Sequence, residues 1–378
     1  MKTLLLSLTA TLSVATAADI GALTAPILAV GPEGKGNSAA AAAWQALSKS
    51  EATALPGILK AMNGAGELSA NWLRGAVSVI VQRDADKLPL EAIRTFATDI
   101  KNSGPSRVLA FELLRRTDEA KWNTLVPSLL NDPESALRRE PISRLLEKKD
   151  DIAALRQALE AARDEDQISA AAEALRDKGE VVDLPKHYGF LMDWQLIAPF
   201  DNKGRTGHEA IFPPEAAIDL TATYDGRELK AGEKNPLKWK AHAGSSQFGT
   251  IDFNKPVGMF KESTGYAFTA FNSAEARNAE IRLGCKNAWK VWLNGDLLFA
   301  RDEYHRMAKI DQYRLPVKLK QGTNTILVKC SQNEQTETWT VEWEFQLRIC
   351  NSGGTAILAT DRKPTPEAAL KPAENRAK

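Results

Sequence analysis

Residues 290–299 read KVWLNGDLLF, two apolar runs on either side of Asn294-Gly295. Asn-Gly is the strongest short hairpin signal a sequence carries, because a type I′ turn requires positive φ at both central residues. A two-residue loop sets Leu293 opposite Asp296, Trp292 opposite Leu297, Val291 opposite Leu298 and Lys290 opposite Phe299. Val291, Leu293 and Leu298 then share one face, and Trp292, Leu297 and Phe299 share the other. Both faces are apolar, whereas a strand pair buried on one side only has one polar face. The second face must therefore be covered by a loop, by the helical part of the chain or by a ligand. Adjacent apolar residues on both strands read as packing more than as a lone stacking platform.

Outward from the hairpin, the period of two persists. Trp339, Val341, Trp343, Phe345, Leu347 and Ile349 alternate with polar residues, which predicts one long half-buried strand with Trp339, Trp343 and Phe345 in the core. Shorter runs with the same character occupy 194–200, 218–224, 237–243, 266–271, 279–285 and 324–330. About ten strands with no helix between them predict a β-sandwich, here over 183–353. Cys285 and Cys330 share the faces of Leu283 and Val328 and read as core thiols, with a disulfide between them open if their strands are adjacent. No role is assigned to Cys350.

Before Gly179 the period is helical. The stretches RGAVSVIVQR from Arg74, RVLAFELLRR from Arg107 and REPISRLLEK from Arg139 start 33 and 32 residues apart. In each, an arginine precedes apolar residues at three, six and seven positions: Val77, Ile80 and Val81; Ala110, Leu113 and Leu114; Ile142, Leu145 and Leu146. That spacing puts each triplet on one helical face. Asp132-Pro133 supplies an N-cap and a first-turn proline before the third stretch. A helix pair repeated at this period predicts an α-solenoid over 36–180, since no single pair buries its own apolar face. The arginines are expected to be solvated or cap-contacting. Gly179 is placed as the closing C-cap.

On these residues the first half, DPESALRREPISRLL above all, resembles HEAT and armadillo-type repeats, with Pro141 as a departure. The second half resembles the galactose-binding-like jelly roll, the sugar-binding domain of family 2 glycoside hydrolases. The carrying residues are AEIRLGCKNAWKVWLNGDLL followed by LPVKLKQGTNTILVKC. The order of helical repeats and then jelly roll also resembles that of secreted bacterial proteins. The resemblance implies that Asn294, Gly295, Gly322 and Asn324 form turns, and that the module binds without catalysing.

The first 17 residues read as a signal peptide: Lys2, an apolar run to Val14, then Ala15-Thr16-Ala17. That run is shorter than a membrane span, and no later segment is long and apolar enough to be one. Export to the periplasm or beyond is the expectation, with 18–35 a linker and the Pro-, Ala-, Lys- and Glu-rich stretch 354–378 a disordered tail. A formal charge of +1 gives no pull toward nucleic acid. There is no zinc-type cysteine spacing, no HExxH and no G-x-S-x-G elbow, so no enzyme class is indicated.

Candidate ligand contacts are Trp292 of the hairpin and Arg301, Tyr304, His305, Asp311 and Tyr313 of the loop that follows. A second loop brings Asn333, Glu334 and Glu337. Sugar sites combine aromatic faces with planar polar side chains, and this mixture supplies both. Asp311, Glu334 and Glu337 could instead hold a structural Ca²⁺, which takes oxygen ligands from loops; no other cofactor is implied. The sequence thus predicts a secreted, non-catalytic binding protein for carbohydrate or an envelope protein partner. The alternative is a structural or protein-interaction protein whose sandwich has no ligand site.

Overall fold

A computed structural model of the chain describes residues 17–371. An all-helical N-terminal region is followed by antiparallel sheets that form a sandwich, the predicted fold class. By compactness the chain divides between Lys148 and Lys149, so the helices Ile152–Ala161 and Glu165–Asp177 belong with the sheets. Among the described residues, no helix is long and apolar enough to cross a membrane.

In the first unit the core is built from spaced apolar residues of successive helices. Leu73, Ala76, Val77 and Ile80 of Glu67–Arg83 and Leu109, Ala110, Leu113 and Leu114 of Gly104–Thr117 are buried. Residues 18–35, predicted to be a linker, instead contain the helix Ala17–Leu28. Ile20, Leu23, Thr24 and Ile27 recur at helical spacing, and Ile20 and Ile27 join the core. The rest of the expected signal peptide lies outside the described residues. Arg107 is neither solvated nor a simple cap contact. It is 1% exposed, donates from Nε to the Ala97 carbonyl at 2.8 Å and grips Asp132 with both terminal nitrogens. Asp132 in turn accepts the Glu134 N–H at 2.9 Å, and the helix proper starts at Ser135 with Glu134 as its N-cap.

In the second unit Gly179 ends a helix with φ of +80°, and the Glu180 N–H reaches back to the Leu175 carbonyl, as a glycine C-cap requires. Twelve strands follow among the described residues: β1 Asp193–Asp201, β2 Tyr224–Asp225, β3 Pro236–Leu237, β4 Lys240–Ala243, β5 Thr250–Asp252, β6 Ser263–Ser273, β7 Arg277–Cys285, β8 Ala288–Leu293, β9 Asp296–Arg301, β10 Tyr313–Leu319, β11 Gly322–Gln332 and β12 Glu344–Cys350. One sheet has the order β4-β1-β6-β11-β8-β9 and the facing sheet the order β10-β7-β12-β5. Between them lies a core of residues such as Trp194, Phe253, Trp289, Val291, Val328, Trp343 and Phe345.

The hairpin turn forms as predicted, with φ of 54° at Asn294 and 91° at Gly295. Asn324, fully buried, ties it to the next turn: its Oδ1 accepts from Asn294 Nδ2 at 3.1 Å and from the Lys320 N–H at 3.0 Å. The pairing shifts after Trp292–Leu297, so that Phe299, not Leu298, faces Val291. Phe299 therefore packs toward the sandwich core against Trp289, at a centroid distance of 5.0 Å. Trp292 stays on the outer face and is covered by the chain itself. With Ile197, Phe200, Tyr266 and Leu327 of the sheet it meets Leu237 and Trp239, which return from a long excursion over 202–239. Ion pairs hold that cover down: Lys290 to Glu209 at 3.1 Å, and Lys329, completely buried, to Glu215 at 2.8 Å.

Other expectations need correcting. Residues 218–224 do not form the predicted strand beyond Tyr224, because the Asp219 carboxylate accepts from the Thr221 and Ala222 N–H groups and turns the chain. The last long strand begins at Glu344, and Trp339 is not core but 60% exposed in the turn Thr338–Thr340. Of the tail 354–378 predicted to be disordered, 372–378 lie outside the described residues, and the part before them runs along the sandwich to Lys363 and then reaches Asp183 through Thr365. Ile357 is buried, and Thr360 and Arg362 bond to the Asn272 and Phe190 carbonyls at 2.9 and 2.7 Å.

Candidate functional site

Strand order decides which loops meet. β1 and β11 both run antiparallel to β6, and β11 and β9 both run antiparallel to β8. The three strands β1, β11 and β9 are therefore parallel to one another, and the segments leaving their C-terminal ends emerge at the same edge. These are 202–208, 333–341 and 302–309, far apart in sequence. They line a cleft of about 430 Å³ formed by Arg205, Asp302, Glu303, Tyr304, His305, Arg306, Asn333, Gln335 and Trp339.

Each side chain has a local reason for its position. Trp339 projects because the turn beneath it is pinned: the buried Thr340 hydroxyl donates to the Glu337 carbonyl at 2.7 Å, and the Thr340 carbonyl accepts from Gln332 Nε2 at 2.9 Å and Lys261 Nζ at 2.7 Å. The His305 ring meets the indole edge-on, at 5.4 Å and 82°. His305 has φ of 56°, and its Nε2 donates to Asn333 Oδ1 at 2.7 Å. Asn333 is fully buried and passes the contact on from Nδ2 to Gln335 Oε1 at 2.9 Å. The Tyr304 hydroxyl accepts from Asn202 Nδ2 at 3.2 Å, and the Arg205 guanidinium lies 5.3 Å from its ring centroid. Burial pushes the Tyr304 phenol up from its ordinary pKa, so it stays neutral near pH 7.

Both arginines of the cleft are paired with carboxylates. Arg205 Nε donates to Glu334 Oε2 at 3.1 Å, and this hydrogen bond holds the exposed Glu334 carboxyl down to about 2. Arg306 faces Glu303 at 3.4 Å. The cleft can therefore offer an apolar indole face beside neutral donors and acceptors, with no guanidinium that lacks a carboxylate.

Of the residues singled out in the sequence, Tyr304 and His305 line this cleft, with Asn333 between the loops. Trp292, only 8% exposed under the 202–239 cover, is not available to a ligand. Arg301 lies over Phe299 and Tyr313, at 5.6 and 5.7 Å from their centroids, and Tyr313 packs with Trp289 and Phe299. Asp311 is enclosed by two arginines: its carboxylate accepts from Arg282 Nη1 and from Arg348 Nε and Nη2, each at 2.6 Å. Its oxygens are thereby taken, Glu334 pairs with Arg205 and Glu337 is exposed, so the three carboxylates do not assemble as a Ca²⁺ site. Among the described residues no group of three His, Cys, Asp or Glu could hold a metal ion. Sequence reasoning missed Arg205 and the exposure of Trp339. The signal for Trp339 lay in the polar run SQNEQTET just before it, which is loop-like up to the indole.

A larger cleft, of about 510 Å³, runs beside β1 and β4 and is lined by residues including Asp193, Gln195, His242, Phe268 and Arg362. Its tryptophan, Trp194, is turned into the sandwich core, where its Nε1 donates to the Leu191 carbonyl at 2.9 Å. No exposed indole is offered there.

No protein-family model matches the chain, and no curated protein matches it. Among solved structures, a family 35 carbohydrate-binding module from Clostridium thermocellum aligns at 11% identity and a TM-score of 0.19, over 28% of this chain and 95% of that one. The PA14 domain of an antifreeze protein aligns at 13% identity and a TM-score of 0.20, over 26% of this chain and 49% of that one. A β-glucosidase from Kluyveromyces marxianus, solved with glucose, aligns at 11% identity and a TM-score of 0.24, over 32% of this chain and 15% of that one.

Proposed function

We propose that the chain is an exported, non-catalytic binding protein whose β-sandwich holds a neutral glycan in the cleft of Trp339, Tyr304 and His305. One observation carries the reading: an indole 60% exposed is held by a pinned turn beside planar polar groups. Exposing that much apolar ring to water has a cost that stacking on a sugar face removes, while Gln335 and His305, held in place by the buried Asn333, supply hydroxyl partners. The paired guanidiniums of Arg205 and Arg306, set against the carboxylates of Asp302, Glu303 and Glu334, disfavour an anionic sugar. The N-terminal helices, with arginine-led apolar triplets recurring at 33 and 32 residues, serve in this reading as a HEAT-like docking scaffold. The signal-peptide pattern at Lys2–Ala17 supports export. A glycan array probed with the full chain is the test. Binding to neutral oligosaccharides supports the reading, and a blank array, or binding confined to uronate- or sulfate-bearing glycans, contradicts it.

A further inference from the structure

The chain has three cysteines, all in the second unit and all buried as free thiols. The strands of Cys285 and Cys330 belong to different sheets, whereas those of Cys285 and Cys350 are neighbours in one sheet. Cys285 lies on β7 of the four-stranded sheet and Cys330 on β11 of the six-stranded one, and they face each other across the sandwich with their sulfurs 3.7 Å apart. Cys285 Sγ also approaches the Asn287 carbonyl at 3.4 Å, and Cys330 Sγ approaches Asn287 Oδ1 at 3.8 Å, so Asn287 holds both thiols at one corner.

We propose that Cys285 and Cys330 are a disulfide site that clamps the two sheets together, and that Cys350 takes no part. Three cysteines allow three pairings, and register removes two of them. On β12 Phe345 stands opposite Cys285, while Cys350 stands opposite Glu280. Cys350 is thus five residues further along, roughly 16 Å at ~3.3 Å per residue. The odd offset also turns its side chain away from the face that carries Cys285. Disulfide formation from a van der Waals contact across the core needs a shift of under about 2 Å, since a bonded pair of sulfurs stands at ~2.05 Å.

The chemistry is two successive thiol–disulfide exchanges with an external disulfide such as glutathione disulfide. One cysteine, as thiolate, attacks a glutathione sulfur and forms a mixed disulfide; the displaced glutathione thiolate takes up the proton. The second cysteine then attacks the protein-side sulfur, closes the Cys285–Cys330 bond and releases a second glutathione. The protein loses two hydrogens, and glutathione disulfide is reduced to two thiols.

The full chain is treated with glutathione disulfide, first in native buffer and then in urea at the foot of the unfolding transition, where the core opens transiently. It is next denatured without reductant, alkylated with iodoacetamide and weighed. The expected product carries one alkyl group, on Cys350, and yields a proteolytic fragment joining Cys285 to Cys330. Cys350→Ser should keep that fragment and carry no alkyl group, and reduction of the oxidised wild type should lower its melting temperature. Three alkylated cysteines after both treatments, or a link that includes Cys350, overturn the proposal.

Discussion

Replacing Trp292 with alanine tests the reading of the hairpin's second face. The indole is 8% exposed among Ile197, Phe200, Leu237, Trp239, Tyr266 and Leu327. A tryptophan in such a place removes roughly 200 Å² from water, which at ~25 cal/mol/Å² is worth about 5 kcal/mol. A compact unfolded state lowers that figure, and measured large-to-alanine losses for aromatics run at about 3–5 kcal/mol. The excursion over 202–239 would lose one of its apolar anchors while Phe200, Tyr266 and Phe268 still hold Phe212 and Trp239, so the cavity should collapse only in part. Urea unfolding followed by intrinsic fluorescence is a suitable assay, because six of the nine tryptophans lie in the second unit. A loss of about 3 kcal/mol or more is expected. A variant within about 1 kcal/mol of wild type would mean that the face is uncovered in solution, and the account of this hairpin would fail.

Further outcomes follow from buried charges. Arg107→Met strands the Asp132 carboxylate and should cost the helical unit about 3–5 kcal/mol by calorimetry, where an exposed arginine would cost next to nothing. Burial alone would push the Asp311 carboxyl up, but Arg348 and Arg282 hold it below 3.8; its contribution is therefore present above pH 3.8 and lost below it. Asp311→Asn should destabilise the protein at pH 7 and flatten the acid limb of its stability profile. Burial, with Arg163 and Arg348 nearby, pulls the His187 imidazole down from 6.5 to about 4. The folded chain keeps it neutral where the unfolded chain takes a proton, so stability should fall by up to about 3 kcal/mol between pH 6.5 and 4. His187→Gln should remove that slope in urea titrations across this range.

Much of the architecture was legible because its signals are local. Asn294-Gly295 demands positive φ, Gly179 ends a helix, and the alternation in 279–285 and 324–330 marks which side chains face the sandwich core. The failures arise where tertiary context decides. The shift that moves Phe299 to the inner face leaves no trace in the hairpin itself, since Leu298 and Phe299 are equally apolar. Trp339 continues the alternation of Trp343 and Phe345 by position alone, yet Thr340 draws the chain into a turn and leaves the indole in water. Asp311 looks like any loop acid until Arg282 and Arg348 arrive from separate strands. The cleft could not be assembled from sequence, because Arg205, Tyr304 and Trp339 meet only through the shared direction of β1, β9 and β11. Tyr304 and His305 were found because they are aromatic and imidazole side chains within a polar loop.

Glycan binding at Trp339 can be read by calorimetric titration of a neutral oligosaccharide into the wild type and into Trp339→Ala, with urea unfolding of both. The variant is expected to bind at least about tenfold more weakly while its stability stays within about 0.5 kcal/mol of wild type. Equal affinity for the two proteins would contradict it.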